Sequence, residues 1–205
     1  ATWQRIVSPS ERASQKGYEN AFSWYSEAYF ARSTNGGQSW EPARAILTPR
    51  GRHVQTIGNM VEVLPDGTLV NGFNLIQGIS NRHGTRGYNV ALVRSPDKGV
   101  TWSDVIGVNA LRSDEVRDPD DGHDVRTGDI LPDWAVDRSS NAATRGNLYV
   151  VWMDTRFNDP DHNDVLLARS RDGGLTWGAP VVVDRAPRGV DAFTPMVDVD
   201  TSGRV

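Results

Sequence analysis

Asp154 and Arg156 stand two residues apart at the end of an apolar run, Leu148-Tyr149-Val150-Val151-Trp152-Met153. In a strand, residues two apart share a face. A carboxylate held beside a guanidinium stays ionised and oriented, which suits acid–base work or a structural ion pair. The same stretch continues through Asp159, Asp161 and His162 to Asp164. A second charged stretch, 109–130, holds Asp114, Glu115, Asp118, Asp120, Asp121, His123, Asp124 and Asp129 with Arg112, Arg117 and Arg126 among them. Its Asp118-Pro119-Asp120-Asp121-Gly122-His123-Asp124 core has the composition of a calcium loop. It lacks the alternating acidic positions and closing Glu of an EF-hand, so the reading is a solvated acidic loop with calcium as the alternative. A third stretch, 8–26, opens on Ser8-Pro9-Ser10-Glu11, a capping box with Pro at the first helical position, and meets a stop at Gly17. This predicts a short helix over 9–16, a surface flap or a lid whose contacts would be Tyr18, Glu19 and Tyr25.

Other chemistries find no residues to carry them. The chain has no Cys, which removes disulfides, thiol catalysis and cysteine-ligated zinc. His53, His83, His123 and His162 fall on separate loops without metal-ligand spacing. Neither a Gly-x-x-x-x-Gly-Lys phosphate loop nor a Gly-x-Ser-x-Gly elbow occurs. A net charge of −4, with basic residues dispersed, argues against nucleic acid as a partner. No apolar run approaches the ~18 residues of a membrane helix.

The elements that would position these residues are short strands. Of 205 residues, 38% are hydrophobic and 23% charged, as in a globular protein. Twenty Gly and 11 Pro punctuate many short apolar runs, which indicates an all-β chain. Three octets repeat: Ser33-Thr34-Asn35-Gly36-Gly37-Gln38-Ser39-Trp40, Ser95-Pro96-Asp97-Lys98-Gly99-Val100-Thr101-Trp102 and Ser170-Arg171-Asp172-Gly173-Gly174-Leu175-Thr176-Trp177. Each follows a strand-like run ending in Arg and precedes a second apolar stretch, so each reads as a hairpin turn. Asp or Asn accepts nearby N–H groups, Gly supplies a backbone angle other residues resist, the hydroxyls tie the sides together, and Trp is an apolar plug. These roles are structural. A second repeat, Val61 to Val70, Trp134 to Trp152 and Val197 to Val205, reads as strand, Gly turn, strand, with the middle turn six residues longer.

The octets resemble the Asp-box, or bacterial neuraminidase repeat, of the sialidase superfamily. Ser95–Trp102 and Ser170–Trp177 match closely, whereas Asn35 stands in place of Asp in Ser33–Trp40. Together with Asp66-Gly67-Thr68-Leu69-Val70 and Asn147-Leu148-Tyr149-Val150-Val151-Trp152, they are similar to bacterial secreted proteins of the exo-α-sialidase type. The resemblance implies a six-bladed β-propeller, to which this chain supplies about three blades of four antiparallel strands. As one partial domain over 1–205, the units fall near 1–50, 51–110 and 125–190, with 191–205 opening or closing another. Both ends read as mid-blade, with β-strands both at Trp3 and at Val197–Val205, and the expected count is twelve strands. Three blades do not close a ring, since propellers have roughly four to eight. Missing sequence or a second copy, as a homodimer, would complete it.

The resemblance also implies a sialidase-like glycoside hydrolase acting on terminal acidic sugars, in a secreted or extracellular setting and without a cofactor. The alternatives are a non-catalytic propeller that binds glycan or protein, and a half-ring that assembles. Such an enzyme grips the substrate carboxylate with arginines and cleaves with a Tyr–Glu pair and an Asp acid/base. The family's Arg-Ile-Pro is absent, and Arg5-Ile6-Val7 is no substitute because it falls mid-blade. Arg5, Arg126 and Arg156 are candidate anion contacts, with Tyr18 and Glu19 as further substrate contacts. Asp129, Asp133 and Asp154 are candidate acid/base groups. Asn35, Trp40, Asp97, Trp102, Asp172 and Trp177 are scaffold.

Overall fold

The computed structural model describes residues 1–7, 25–49, 54–77 and 87–205. They form strands and loops with no helix among them. The helix expected over 9–16 lies outside the described residues, as do Tyr18, Glu19, His53 and His83.

The apolar runs become antiparallel meanders. β1 (Thr2–Val7) and β3 (Arg44–Leu47) both pair with β2 (Tyr25–Phe30). β4 (Val54–Val63), β5 (Leu69–Gln77), β6 (Tyr88–Ser95) and β7 (Ile106–Ala110) follow in spatial order. One parallel pairing, Ser26 with Gln55, joins these two groups into a single seven-stranded sheet. The Ser26 hydroxyl donates to Thr56 O at 2.8 Å there, an attachment no local pattern announces. After a small hairpin of β8 (Val116–Arg117) and β9 (Asp124–Val125), the second large sheet runs β10 (Asp133–Val136), β11 (Leu148–Asp159), β12 (His162–Ser170) and β13 (Val181–Val182). Among the described residues the sheets do not close on themselves.

Two-residue alternation sorts the side chains of the central β4–β7 group. Val70, Val90 and Leu92 pack with Leu148, Val150, Trp152, Leu166 and Ala168 of the β10–β13 sheet. Phe73, Leu75, Ala91 and Val93 pack the other way, with Ile46 and Leu47 of the β1–β3 group. The central group is therefore buried on both faces, which is why its strands read as continuous apolar runs.

The Gly turn between strands recurs three times in one hydrogen-bond pattern. Leu64 N–H donates to Thr68 O and Gly67 N–H to Leu64 O; Asp137 pairs likewise with Asn147 and Gly146, and Asp200 with Arg204 and Gly203. The middle copy spans its six extra residues with Asn141-centred bonds. The expected strands around Asp200 are a correction: Val197–Val199 and Arg204–Val205 are not strands, because no ladder partner reaches them among the described residues. The β8–β9 hairpin is the reverse case, a pairing inside what reads as a plain acidic loop.

Candidate functional site

The octet turns close as their composition dictates. In each, the Ser hydroxyl accepts the N–H four residues on and donates to the Asp or Asn side chain two residues on, at 2.7–3.0 Å (Ser33, Ser95, Ser170). The same carboxylate or amide oxygen accepts the N–H of Ser39, Thr101 or Thr176. Hydrogen bonds from the Thr101 hydroxyl and N–H, then from Ser95, pull the half-buried Asp97 carboxyl down to about 2. At Asp172 burial pushes upward, but the Thr176 and Ser170 bonds outweigh it and again hold it at about 2.

In an antiparallel meander successive connections alternate ends. The octets and Gly turns therefore share one end, and the charged stretches between β7 and β10, between β11 and β12, and after β13 share the other. At that end Asn163, at the start of β12, acts as a stitch. Its side chain donates to Asp114 O at 3.0 Å and to Asp191 Oδ1 at 2.9 Å, and its Oδ1 accepts Asp114 N–H at 2.9 Å. Nothing in its sequence neighbourhood marks Asn163 or Asp191; their role exists only once both loops are in place.

Asp154 is wholly buried beneath this stitch. Its Oδ1 accepts Arg156 N–H at 3.0 Å and Nε at 2.8 Å; its Oδ2 accepts Arg112 N–H at 3.1 Å, Trp152 Nε1 at 3.0 Å and Arg156 Nη2 at 2.6 Å. Arg156 also donates to Asn109 Oδ1 at 2.7 Å and to Ala110 O. The pair thus fastens the second half of β11 to the end of β7 and the residue two beyond it. Across the ladder from Asp154 lies Asp164, also buried. Burial first, then the Asp184 charge, raises the Asp164 carboxyl above its ordinary range. Asp159 and the His162 ring are 2.7 Å apart, and that contact raises the imidazole and lowers the carboxyl.

The other candidates spread apart. Asp133 opens β10 and accepts Val197 N–H at 2.7 Å. Arg5 reaches the Tyr29 hydroxyl at 2.8 Å, on the β1–β2 pair. Arg126 and Asp129 come together, lining with Glu115, Ile57 and Leu131 a cleft of about 360 Å³. Asp129 takes a bond from Ser113 at 3.2 Å, whereas the Arg126 side chain is exposed to the cleft. In the acidic hairpin, Asp118 and Asp121 accept the N–H groups of Asp120 and His123. No group of three or more His, Asp or Glu side chains among the described residues is arranged to hold a metal ion.

No family model matches the chain. No curated protein sequence matches it. Among solved structures it is similar to a mutant of NanB sialidase from Streptococcus pneumoniae, at 14% identity and TM-score 0.44, over 82% of this chain and 20% of that one. It is also similar to a leech intramolecular trans-sialidase (15%, TM-score 0.41, 78% and 19%) and to a protein of unknown function from Dyadobacter fermentans (20%, TM-score 0.48, 78% and 45%). The chain spans about a fifth of the first two and under half of the third.

Proposed function

We propose that the chain is part of a sialidase-like, six-bladed propeller acting as a glycoside hydrolase on terminal acidic sugars. The observation that carries this reading is the turn bonding, repeated across three successive strand groups with the charged loops gathered at the opposite end. The cleft beside Arg126 supports it chemically: a guanidinium matches a sugar carboxylate, and Asp129 and Glu115 match hydroxyls. In this reading Arg126 binds the acid and Asp129 serves as acid/base. The Tyr–Glu pair that the resemblance implies has no counterpart in the cleft's lining, and a secreted location belongs to the same proposal.

A second reading, a silent propeller that binds the same sugars, is favoured by the state of Asp154 and Arg156. Both spend their polar atoms on each other and on the scaffold, so neither is offered to a substrate. One experiment separates the two. The chain is incubated with a fluorogenic sialoside and applied in parallel to a glycan array. Turnover that falls with Arg126→Ala supports the hydrolase. Retention of acidic glycans without turnover supports the binder. Neither turnover nor retention defeats both.

A further inference from the structure

The octet end carries a cleft that takes no part in the sugar chemistry. It measures about 340 Å³ and lies where the Gly turn after β4, the end of β6, the turn before β11 and the octet after β12 meet. Arginines from three of those elements line it: Arg94, Arg145 and Arg171. Asp66 and Asp172 line it too, yet both carboxylates are occupied by their own turns. Asp66 Oδ1 accepts Thr68 N–H at 2.8 Å. Asp172 Oδ1 accepts Thr176 N–H at 2.9 Å, and its Oδ2 accepts the Thr176 hydroxyl at 2.5 Å.

The preceding junction shows what an arginine at the Arg94 position can hold. Arg32 and Arg94 each precede an octet serine by one residue. Each also accepts, at its backbone carbonyl, the N–H nine residues on, that of Glu41 or Ser103. Arg32 donates Nε and Nη2 to Glu41 Oε1, at 3.0 and 2.7 Å, and Nη1 to Lys98 O at 2.9 Å. Arg94 has Ser103 in the Glu41 position. That hydroxyl accepts the Arg94 backbone N–H at 3.0 Å and donates to Asp104 O at 2.7 Å, so it does not serve the guanidinium. Arg94 Nε is buried with no hydrogen-bond partner among the described residues. Buried donors are nearly always paired, so this one calls for an acceptor.

The surroundings suit a charged acceptor. A Cβ on Gly173 would fall 3.1 Å from Arg94 Nη2, so the turn backbone approaches the guanidinium closely. Arg145 is anchored by Nη1, which donates to Arg138 O and Ser139 O at 2.7 Å each. Arg171 is exposed, and a Cβ on Gly146 would meet nothing within 4 Å.

We infer that this cleft binds a tetrahedral oxyanion, the phosphate or sulfate group of a free ion or of a terminal ester. Arg94 is its central contact, and Arg145 and Arg171 flank it. Guanidinium groups match oxyanions through paired N–H donors. Three of them arriving from separate elements suit an acceptor with oxygens in several directions, whereas a planar carboxylate offers two. The site lies at the end opposite Arg126 and stands independently of the sugar reading.

The test is titration of the 205-residue chain with inorganic phosphate and with inorganic sulfate, ionic strength being held constant with chloride. Amide shifts in NMR and the thermal midpoint are followed. Saturable shifts centred on Gly146 and Gly173, with a rise in midpoint, are expected. Glucose 6-phosphate binding tighter than inorganic phosphate identifies an ester as the ligand, and equal or weaker binding identifies the free ion. Arg94→Gln should weaken phosphate binding about tenfold. The exposed Arg171→Ala should weaken it about threefold. If Arg94→Gln does not fold, Ser103→Glu tests the same point by supplying the carboxylate that Arg32 has. It should raise the midpoint without phosphate and weaken phosphate binding about tenfold. The assignment is overturned by the absence of saturable shifts with either ion, or by shifts centred on Gly128 near Arg126. Acetate binding as tightly as sulfate, or parental affinity in any of these variants, overturns it as well.

Discussion

The Arg156 guanidinium grips both carboxylate oxygens of Asp154, at 2.8 and 2.6 Å, and spends its other nitrogen on Asn109. Removing one partner of a buried pair strands the other, at a cost of about 3–5 kcal/mol. Asp154→Asn should therefore lower the urea midpoint by that equivalent, with the denaturant slope unchanged. A wild-type midpoint in the variant would remove the structural role assigned to the pair.

The turn carboxylates make stability pH-dependent. Asp97 and Asp172 sit at about 2 when folded, below the ordinary 3.8. Depressed carboxyls stabilise the fold above their unfolded value, and that contribution is lost as pH falls through the folded one. Thermal midpoints should accordingly drop between about pH 4 and pH 2. In the Asp97→Asn, Asp172→Asn double variant this drop should be shallower, while Asp66, Asp137 and Asp200, also lowered, keep part of it. Equal slopes in parent and variant would contradict the hydrogen-bond account.

Gly99 combines φ +88° with the closest approach to Phe30. Alanine there carries roughly 1–2 kcal/mol of left-handed strain. The clash with the ring adds about 1–3 kcal/mol. Only the second part depends on the ring. In a cycle with Phe30→Ala, the double variant should be more stable than the sum of the two single losses by about the clash contribution. Strict additivity would show that the turn does not rest on Phe30.

Asn163→Ala should loosen the charged end without unfolding the sheets. Hydrogen exchange at the amides of Asp114 and Asn163, bonded to Asn163 Oδ1 and Asp191, should accelerate at least at Asp114, while Val150 and Leu166 amides stay protected. Unchanged exchange at Asp114 would mean the stitch carries no load.

The all-β class and the octet turns were legible in the residues because both are local. A Ser, an Asp and a Gly within five positions satisfy one another's hydrogen bonds wherever the turn is placed, and an apolar run buried on two faces looks apolar throughout. Asp154 and Arg156 were visible as a pair for the same reason: a strand puts them on one face whatever lies beyond. Their occupation was not visible, since Arg112, Asn109 and Ala110 arrive from residues more than 40 positions away. Nor was the gathering of Arg126 with Asp129 but not with Arg5 or Arg156, or the idle state of Val197–Val199, which depends on whether a partner strand is near. Order along the chain decides what a segment can form; which groups then face a cleft, a neighbour or an empty groove is decided by long-range packing, where burial and pairing are settled between segments that carry no trace of each other.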